Sequence, residues 1–255
     1  MKRDGTPNVP TADRAPEMKR CGRHAVRAAV FDLWGTLVPS PVARRDGVCR
    51  AMGADLDVDP DAYAAAYRSS YSERFTATLG SLDETVLELA RRCGGDPDGT
   101  AVARAARRRV ELTREMLVAS AETLAVLDEL ALRGFCLGLV TDSSAETPRL
   151  WAETPLASRF GAMTFSCLLG KRKPDPAIFL ATLECLGVRP NEAVYVGDGG
   201  GGELTAAERL GMLAIRLQTG PEERYDDDSG FLGTEVASLQ ELLVQPWAVS
   251  PSGMR

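Results

Sequence analysis

Residues 28–37 read Ala28-Ala29-Val30-Phe31-Asp32-Leu33-Trp34-Gly35-Thr36-Leu37. The apolar run from Ala28 to Leu33 carries a single carboxylate and stops at Trp34-Gly35-Thr36, the pattern of a buried parallel strand that ends in a tight turn. Similar runs follow. Phe135 to Val140 ends at Thr141-Asp142-Ser143, Ala193 to Val196 ends at Gly197-Asp198, and Met212 to Leu217 follows Gly211. Helical patterns lie between them. Residues 121–133 place Leu124, Leu127 and Leu130 on one face, with Ser120 as N-cap and Gly134 past the end. Residues 176–186 run between Asp175 and Gly187, and residues 203–210 are closed by Gly211. Strands alternating with helices predict βαβ units, and hence an α/β protein with a doubly wound, Rossmann-like parallel sheet.

The stretch from 42 to 119 breaks that alternation. It contains no convincing strand and predicts helices near 60–79, 82–93 and 99–118, an all-helical domain inserted after the first strand. The core domain is then 25–41 together with 120–255. Residues 1–24 are polar, charged and Pro-containing, which predicts a disordered extension without an apolar leader. Tyr63, Tyr67 and Tyr71 recur every four residues as one stripe of a helix, best read as packing surface, with the alternative that part of it faces a cleft. Arg68, Arg74 and the run Arg107-Arg108-Arg109 read as solvated, as does the acidic run Asp226-Asp227-Asp228.

Composition narrows the function. The chain has 255 residues and a formal net charge of -6, which argues against a nucleic-acid-binding surface while leaving room for a locally positive site. No apolar run approaches the roughly 18 residues of a membrane span, so the expected location is cytoplasmic. Six scattered cysteines and a single histidine, His24, do not assemble a zinc site by the usual spacings, and reduced thiols are expected. Lysine is scarce. Lys171 and Lys173 are the only lysines beyond residue 19, in a chain that otherwise uses arginine, so a lysine here is less readily dismissed as surface decoration.

Ligands of an open parallel sheet bind beyond the carboxyl ends of the strands. Three predicted strands release polar groups there: Asp32, then Thr141 with Asp142, then Asp198. One such residue is readily a helix cap, whereas three converging on one edge point to a site.

The ordered motifs resemble those of the haloacid dehalogenase superfamily. Val30-Phe31-Asp32-Leu33-Trp34-Gly35-Thr36-Leu37 resembles the first motif, and Leu139-Val140-Thr141 the second. Lys173-Pro174-Asp175-Pro176 is similar to the third, and Val194-Tyr195-Val196-Gly197-Asp198 with Glu203 to the fourth. The helical insertion over 42–119 is similar to the family's C1 type of cap. The resemblance implies a hydrolase in which Asp32 is the nucleophile, with Thr141 and Lys173 as further catalytic residues. It implies phosphate binding by Thr141, Asp142, Lys173 and Gly35. A Mg2+ ion would be held by Asp32, the backbone carbonyl of Trp34, Asp198 and Glu203. The implied partner is a small phosphorylated substrate, with neither nucleic acid nor membrane involved.

The chemistry agrees with those roles. A carboxylate nucleophile splits a difficult hydrolysis into two easier steps, and phosphoryl transfer needs its spread negative charge neutralised by positioned cations. Magnesium prefers hard oxygen ligands such as carboxylates. Gly199 to Gly202 form a loop that lets Glu203 start the next helix near that ion, although a plain glycine-rich turn fits the same pattern.

One departure matters. The family's phosphatases usually place a second aspartate two residues after the nucleophile, to protonate the leaving group; here that position is Trp34. A positioned acid–base group is worth about 10²–10⁴ in rate. The alternatives are a phosphatase whose substrate leaves well or whose acid comes from the cap or the substrate, a 2-haloacid dehalogenase, which needs no proton donor, and a catalytically weak relative that binds a phosphorylated ligand or a partner.

Overall fold

The computed structural model describes residues 26–218 and 230–249. The sequence-based expectations for residues 1–24 and 226–228 lie outside these.

Among the described residues, six parallel strands form a sheet in the order β3-β2-β1-β4-β5-β6. The strands are β1 (Ala28–Phe31), β2 (Cys136–Thr141), β3 (Ala162–Phe165), β4 (Ala193–Gly197), β5 (Leu213–Leu217) and β6 (Thr234–Val236). β1 pairs on one side with β2 (Ala28 opposite Cys136) and on the other with β4 (Ala28 opposite Ala193). Side chains of a strand alternate between faces, and the core follows that period. Ala29, Phe31, Leu137, Leu139, Val194 and Val196 form one layer, and Ala28, Val30, Val140, Ala193 and Tyr195 the other. Both faces are therefore apolar, which is why these strands read as continuous hydrophobic runs.

Helices cover both layers. α6 (Ala121–Leu132) follows the helical unit described below and packs on the first face. Its N-cap Ser120 accepts from the Thr123 N–H. α7 (Glu146–Trp151) and α8 (Ser166–Leu169) flank β3. α9 (Pro176–Leu186) and α10 (Glu203–Leu210) pack on the second face. α9 begins at the Asp175 cap with Pro176 in its first turn and ends at Gly187 in the left-handed conformation, so both ends are written in the sequence. β3 and β6, four and three residues long, were too short to announce themselves.

Between β1 and β2 lie α1 (Val42–Asp55), α2 (Pro60–Ser69), α3 (Tyr71–Phe75), α4 (Leu82–Arg92) and α5 (Gly99–Met116). They share a core built on Met52, Leu56, Tyr63, Val86, Leu89 and Ala105. Two sequence expectations need correction. The helix expected over 60–79 is broken at Ser70, whose hydroxyl donates to the Tyr67 carbonyl and accepts from Arg74, competing with the helix backbone. α1 was missed because it has no side-chain cap and contains Gly47 and Gly53. Gly53 has a packing reason: a Cβ there would stand 2.9 Å from both Pro60 Cα and Tyr63 Cβ, so only glycine lets α1 and α2 approach so closely.

No helix among the described residues is long and apolar enough to cross a membrane. Cys49, Cys93, Cys167 and Cys185 are free thiols, as expected; Cys136 is disulfide-bonded, which the spacing of cysteines along the chain did not reveal.

Candidate active site

The strand order reverses between β1 and β4: the chain proceeds outward through β2 and β3 on one side, then through β5 and β6 on the other. In such sheets the crevice at the carboxyl ends beside the reversal is the ligand site. Asp32 leaves β1 there, its N–H bonded to the Val196 carbonyl of β4 at 2.9 Å. Asp198 leaves β4 one residue past Gly197. Thr141, wholly buried, closes β2 beside them.

Lys173 arrives from the loop before α9, and its ammonium lies 2.5 Å from Asp32 Oδ1 and 2.5 Å from Glu203 Oε2. Its side chain is 5% exposed, so this is a buried charge network rather than a surface pair. The Asp142 carboxylate accepts the Lys173 backbone N–H at 3.0 Å and so fixes the loop. Glu203 has no exposed surface and is fully engaged: Oε2 also accepts from the Tyr195 hydroxyl at 2.7 Å, and Oε1 accepts the Gly199 N–H at 3.0 Å. Asp198 Oδ1 accepts the Gly200 N–H at 2.9 Å, and the Thr36 hydroxyl donates to Asp32 Oδ2 at 3.3 Å.

Two glycines make this crowding feasible. Gly35 has φ +80°, and a Cβ on it would lie 2.5 Å from Asp198 Oδ2. A Cβ on Gly197 would run into Glu203 Oε1. The glycine at 35 thereby brings the turn after Trp34 against the Asp198 carboxylate. Trp34 itself is half-buried and packs against the large core layer.

The electrostatics follow from burial. Desolvation pushes Asp32 up to about 6, against the pull of Lys173 and with a further push from Asp198. Glu203 is pushed up to about 7 by burial, again opposed by Lys173 and reinforced by Asp32. Burial works against the Lys173 ammonium, but Asp32, Glu203 and Asp142 around it outweigh that and hold it protonated above the ordinary lysine range. Asp32, Asp198 and Glu203 bring carboxylate oxygens within 4.8 Å of one another, all buried. Three buried carboxylates against one ammonium leave an excess of negative charge, and hard oxygen donors at this spacing fit a divalent cation such as Mg2+.

Thus Asp32, Lys173, Asp198 and Glu203, widely separated in sequence, meet at one point, with Thr141, Asp142 and Gly35 around them. Tyr195 was missed, because inside an apolar strand its hydroxyl gives no sign of function. The arginines need a correction. Arg74 is 8% exposed and donates to the Ser144 hydroxyl at 2.7 Å, and the Arg109 side chain is 12% exposed and pairs with Glu146 at 2.8 Å. Neither is solvated, because the helical unit folds back over the sheet edge and covers both. Arg68, 40% exposed and paired with Asp46, and Arg108, 47% exposed, are closer to expectation. Within the tyrosine stripe Tyr63 and Tyr67 are buried packing, whereas the exposed Tyr71 reaches the loop of Lys173, its hydroxyl 3.2 Å from Arg172 Nη2.

A model of the haloacid dehalogenase-like hydrolases matches residues 26–211, and the chain belongs to that family. It is therefore a hydrolase. It is 31% identical to a glyceraldehyde 3-phosphate phosphatase of Methanopyrus kandleri, covering 80% of this chain and 90% of that one. It is 32% identical to a phosphoglycolate phosphatase of Rhodospirillum rubrum, covering 90% and 94%. Among solved structures, the L-2-haloacid dehalogenase of Xanthobacter autotrophicus superposes with a TM-score of 0.60 over 90% of this chain and all (100%) of that one, at 18% identity, a likeness of fold alone.

Proposed function

We propose that this chain is a magnesium-dependent phosphatase that hydrolyses a small phosphorylated metabolite through a phosphoaspartyl intermediate on Asp32, with the helical unit over 42–119 as its cap. The observation that carries this is the buried meeting of Asp32, Asp198 and Glu203 around the Lys173 ammonium. Phosphatases among the similar proteins support the same reading.

The residues fit a magnesium ion: Asp32, Asp198 and Glu203, with the backbone carbonyl of Trp34, would hold it. When bound, it neutralises phosphoryl charge that one lysine cannot neutralise alone. Asp32 Oδ attacks phosphorus, an acyl phosphate bond forms, and the bond from phosphorus to the leaving oxygen breaks. Lys173 and Thr141 hold phosphoryl oxygens, with Gly35 and Asp142 shaping their surroundings. Glu203, pinned by Tyr195 and the Gly199 N–H, keeps Lys173 aimed at Asp32. Water then hydrolyses the acyl phosphate and releases inorganic phosphate.

Trp34 has no acidic proton to give the leaving group, so the leaving oxygen must depart unaided or take a proton from the helical cap or from the substrate itself. That favours acyl, aryl and enol phosphates over simple alkyl esters by a margin of about 10²–10⁴. The test is phosphate release from an aryl phosphate with and without Mg2+, beside Asp32→Asn. Magnesium-dependent release that the variant abolishes is expected; turnover surviving in Asp32→Asn would end the mechanism. Trp34 also favours a second reading, halide displacement from a 2-haloacid, which needs no proton donor. Its signature is halide release indifferent to Mg2+, and the trio of carboxylates weighs against it.

A further inference from the structure

Lys173 is delivered to the site by an irregular loop, residues 170–175, between α8 and α9. The loop closes one turn of its own, from the Asp175 N–H to the Arg172 carbonyl at 2.9 Å, and Pro174 brings no N–H at all. The peptide groups of Lys173 are held by side chains instead. Its N–H donates to Asp142 at 3.0 Å, a tether to the end of β2, and its carbonyl accepts from Arg172 Nη1 at 2.9 Å. The same guanidinium crosses the seam between the helical unit and the sheet edge. Nε donates to the Ser72 hydroxyl at 3.1 Å and Nη2 to the Tyr71 hydroxyl at 3.2 Å, with the Tyr71 ring centre 4.7 Å away. Tyr71 and Ser72 open α3, and the Tyr71 ring is set edge-on against Phe75 at 6.0 Å. One arginine thus joins the carbonyl of the site's lysine to a helix of the inserted unit.

Charge pairing does not explain this arrangement. The Arg172 side chain is 24% exposed, and its ion pair with Asp142 Oδ2 spans 3.9 Å, too long for a hydrogen bond. Ordering so long a side chain also costs rotamer entropy, which three well-made hydrogen bonds and a ring contact offset. Those bonds need the planar guanidinium, whose donors keep fixed distances from one another; a lysine has one ammonium and cannot span the same three acceptors. A rigid fork passes a displacement of α3 on to the Lys173 carbonyl, and the ammonium that must reach Asp32 hangs from that same residue. Its aim is sensitive, since an error of about 1 Å in a catalytic group can cost about 100-fold in rate.

We propose that Arg172 is a positioning residue, through which α3 of the helical unit sets the aim of Lys173 at Asp32. Its catalytic consequence rests on the phosphatase reading; the tether between α3 and the Lys173 loop does not. Arg172 acts through Lys173 and takes no part in the bond-making at Asp32.

The experiment is a double-substitution cycle on the full chain with Mg2+ and 4-nitrophenyl phosphate. Arg172→Lys keeps the positive charge beside Asp142 and loses the fork, so kcat should fall about tenfold while KM changes by about twofold or less. Tyr71→Phe keeps the ring and removes only the hydroxyl, and should lower kcat about threefold. Placed in the Arg172→Lys chain, Tyr71→Phe should cost nothing further, because its contact no longer reaches Lys173. Wild-type kcat in Arg172→Lys, or losses that multiply in the double variant, overturns the proposal. A second measurement needs no turnover: amide hydrogen exchange over residues 171–175 should quicken in each single variant and quicken no further in the double. Exchange there that ignores both substitutions overturns the proposal as well. Absence of phosphate release from the wild-type chain defeats the phosphatase reading instead, and the exchange measurement then decides the tether by itself.

Discussion

The Lys173 ammonium is shared equally by two carboxylates, 2.5 Å from Asp32 Oδ1 and 2.5 Å from Glu203 Oε2, all three residues being almost fully buried. One cation thus ties the end of β1 to the start of α10, elements far apart in the chain. Removing one partner of such a network leaves uncompensated buried charge.

Lys173→Met should therefore abolish phosphate release and, without added metal, lower the stability of the fold by about 3–5 kcal/mol. It should also enlarge the rise in melting temperature that Mg2+ produces, because the carboxylates have lost their internal cation. Thermal melts of both proteins with EDTA and with Mg2+ read this directly; equal metal-induced shifts would contradict it.

Burial raises Asp32 from 3.8 to about 6 and Glu203 from 4.5 to about 7, so the folded protein keeps protons that the unfolded chain has already lost. A raised carboxylate pKa means stability present at low pH and lost as pH climbs through the folded values. In EDTA, Asp32→Asn should gain stability relative to wild type between about pH 4 and 6, from the unfolded to the folded value of Asp32, and added Mg2+ should reverse that gain. A difference constant across that range refutes the assignment.

Gly197→Ala places a methyl group against Glu203 Oε1, and the carboxylate must swing out of its contacts with Lys173, Tyr195 and the Gly199 N–H. Magnesium affinity, measured by calorimetry, should fall by about tenfold or more, with phosphatase activity following it. Wild-type affinity in this variant would show that Glu203 is not part of the metal site.

Tyr195→Phe removes one hydrogen bond to a buried charged acceptor and changes little else. A loss of about 1.5–3 kcal/mol in unfolding free energy is expected, read from urea melts at neutral pH.

Gly53→Ala tests the helical unit alone. With Pro60 Cα and Tyr63 Cβ in the way, α1 and α2 must separate, at about 1–3 kcal/mol. Magnesium affinity should remain at the wild-type value, since the contacts of Gly53 all lie within the helical unit.

Legibility varied with how local each signal was. Strands buried on both faces, such as Ala28–Phe31 and Ala193–Gly197, write themselves as apolar runs, and α9 is bracketed by Asp175, Pro176 and Gly187. Asp32 and Asp198 stood out because a carboxylate ending such a strand has no packing purpose. The four-residue β3 and the uncapped α1 left no comparable mark. Arg74 looked like any other exposed helix arginine, since nothing in its own segment says that Ser144 will cover it.

By itself the order of strands and helices determined a doubly wound parallel sheet and its helical insertion, because backbone periodicity and capping are properties of adjacent residues, whereas Asp32 became the nucleophile candidate through the resemblance of its motif to the family's first motif. Only the tertiary structure decided that Tyr195 would anchor Glu203, that Lys173 would sit between two carboxylates, and that Arg74 would be buried in the seam. Those relationships join residues tens to more than a hundred positions apart, apart from the short reach of Tyr195 to Glu203. Their energies come from burial and from charges brought close in a low-dielectric interior, which no local pattern of residues encodes.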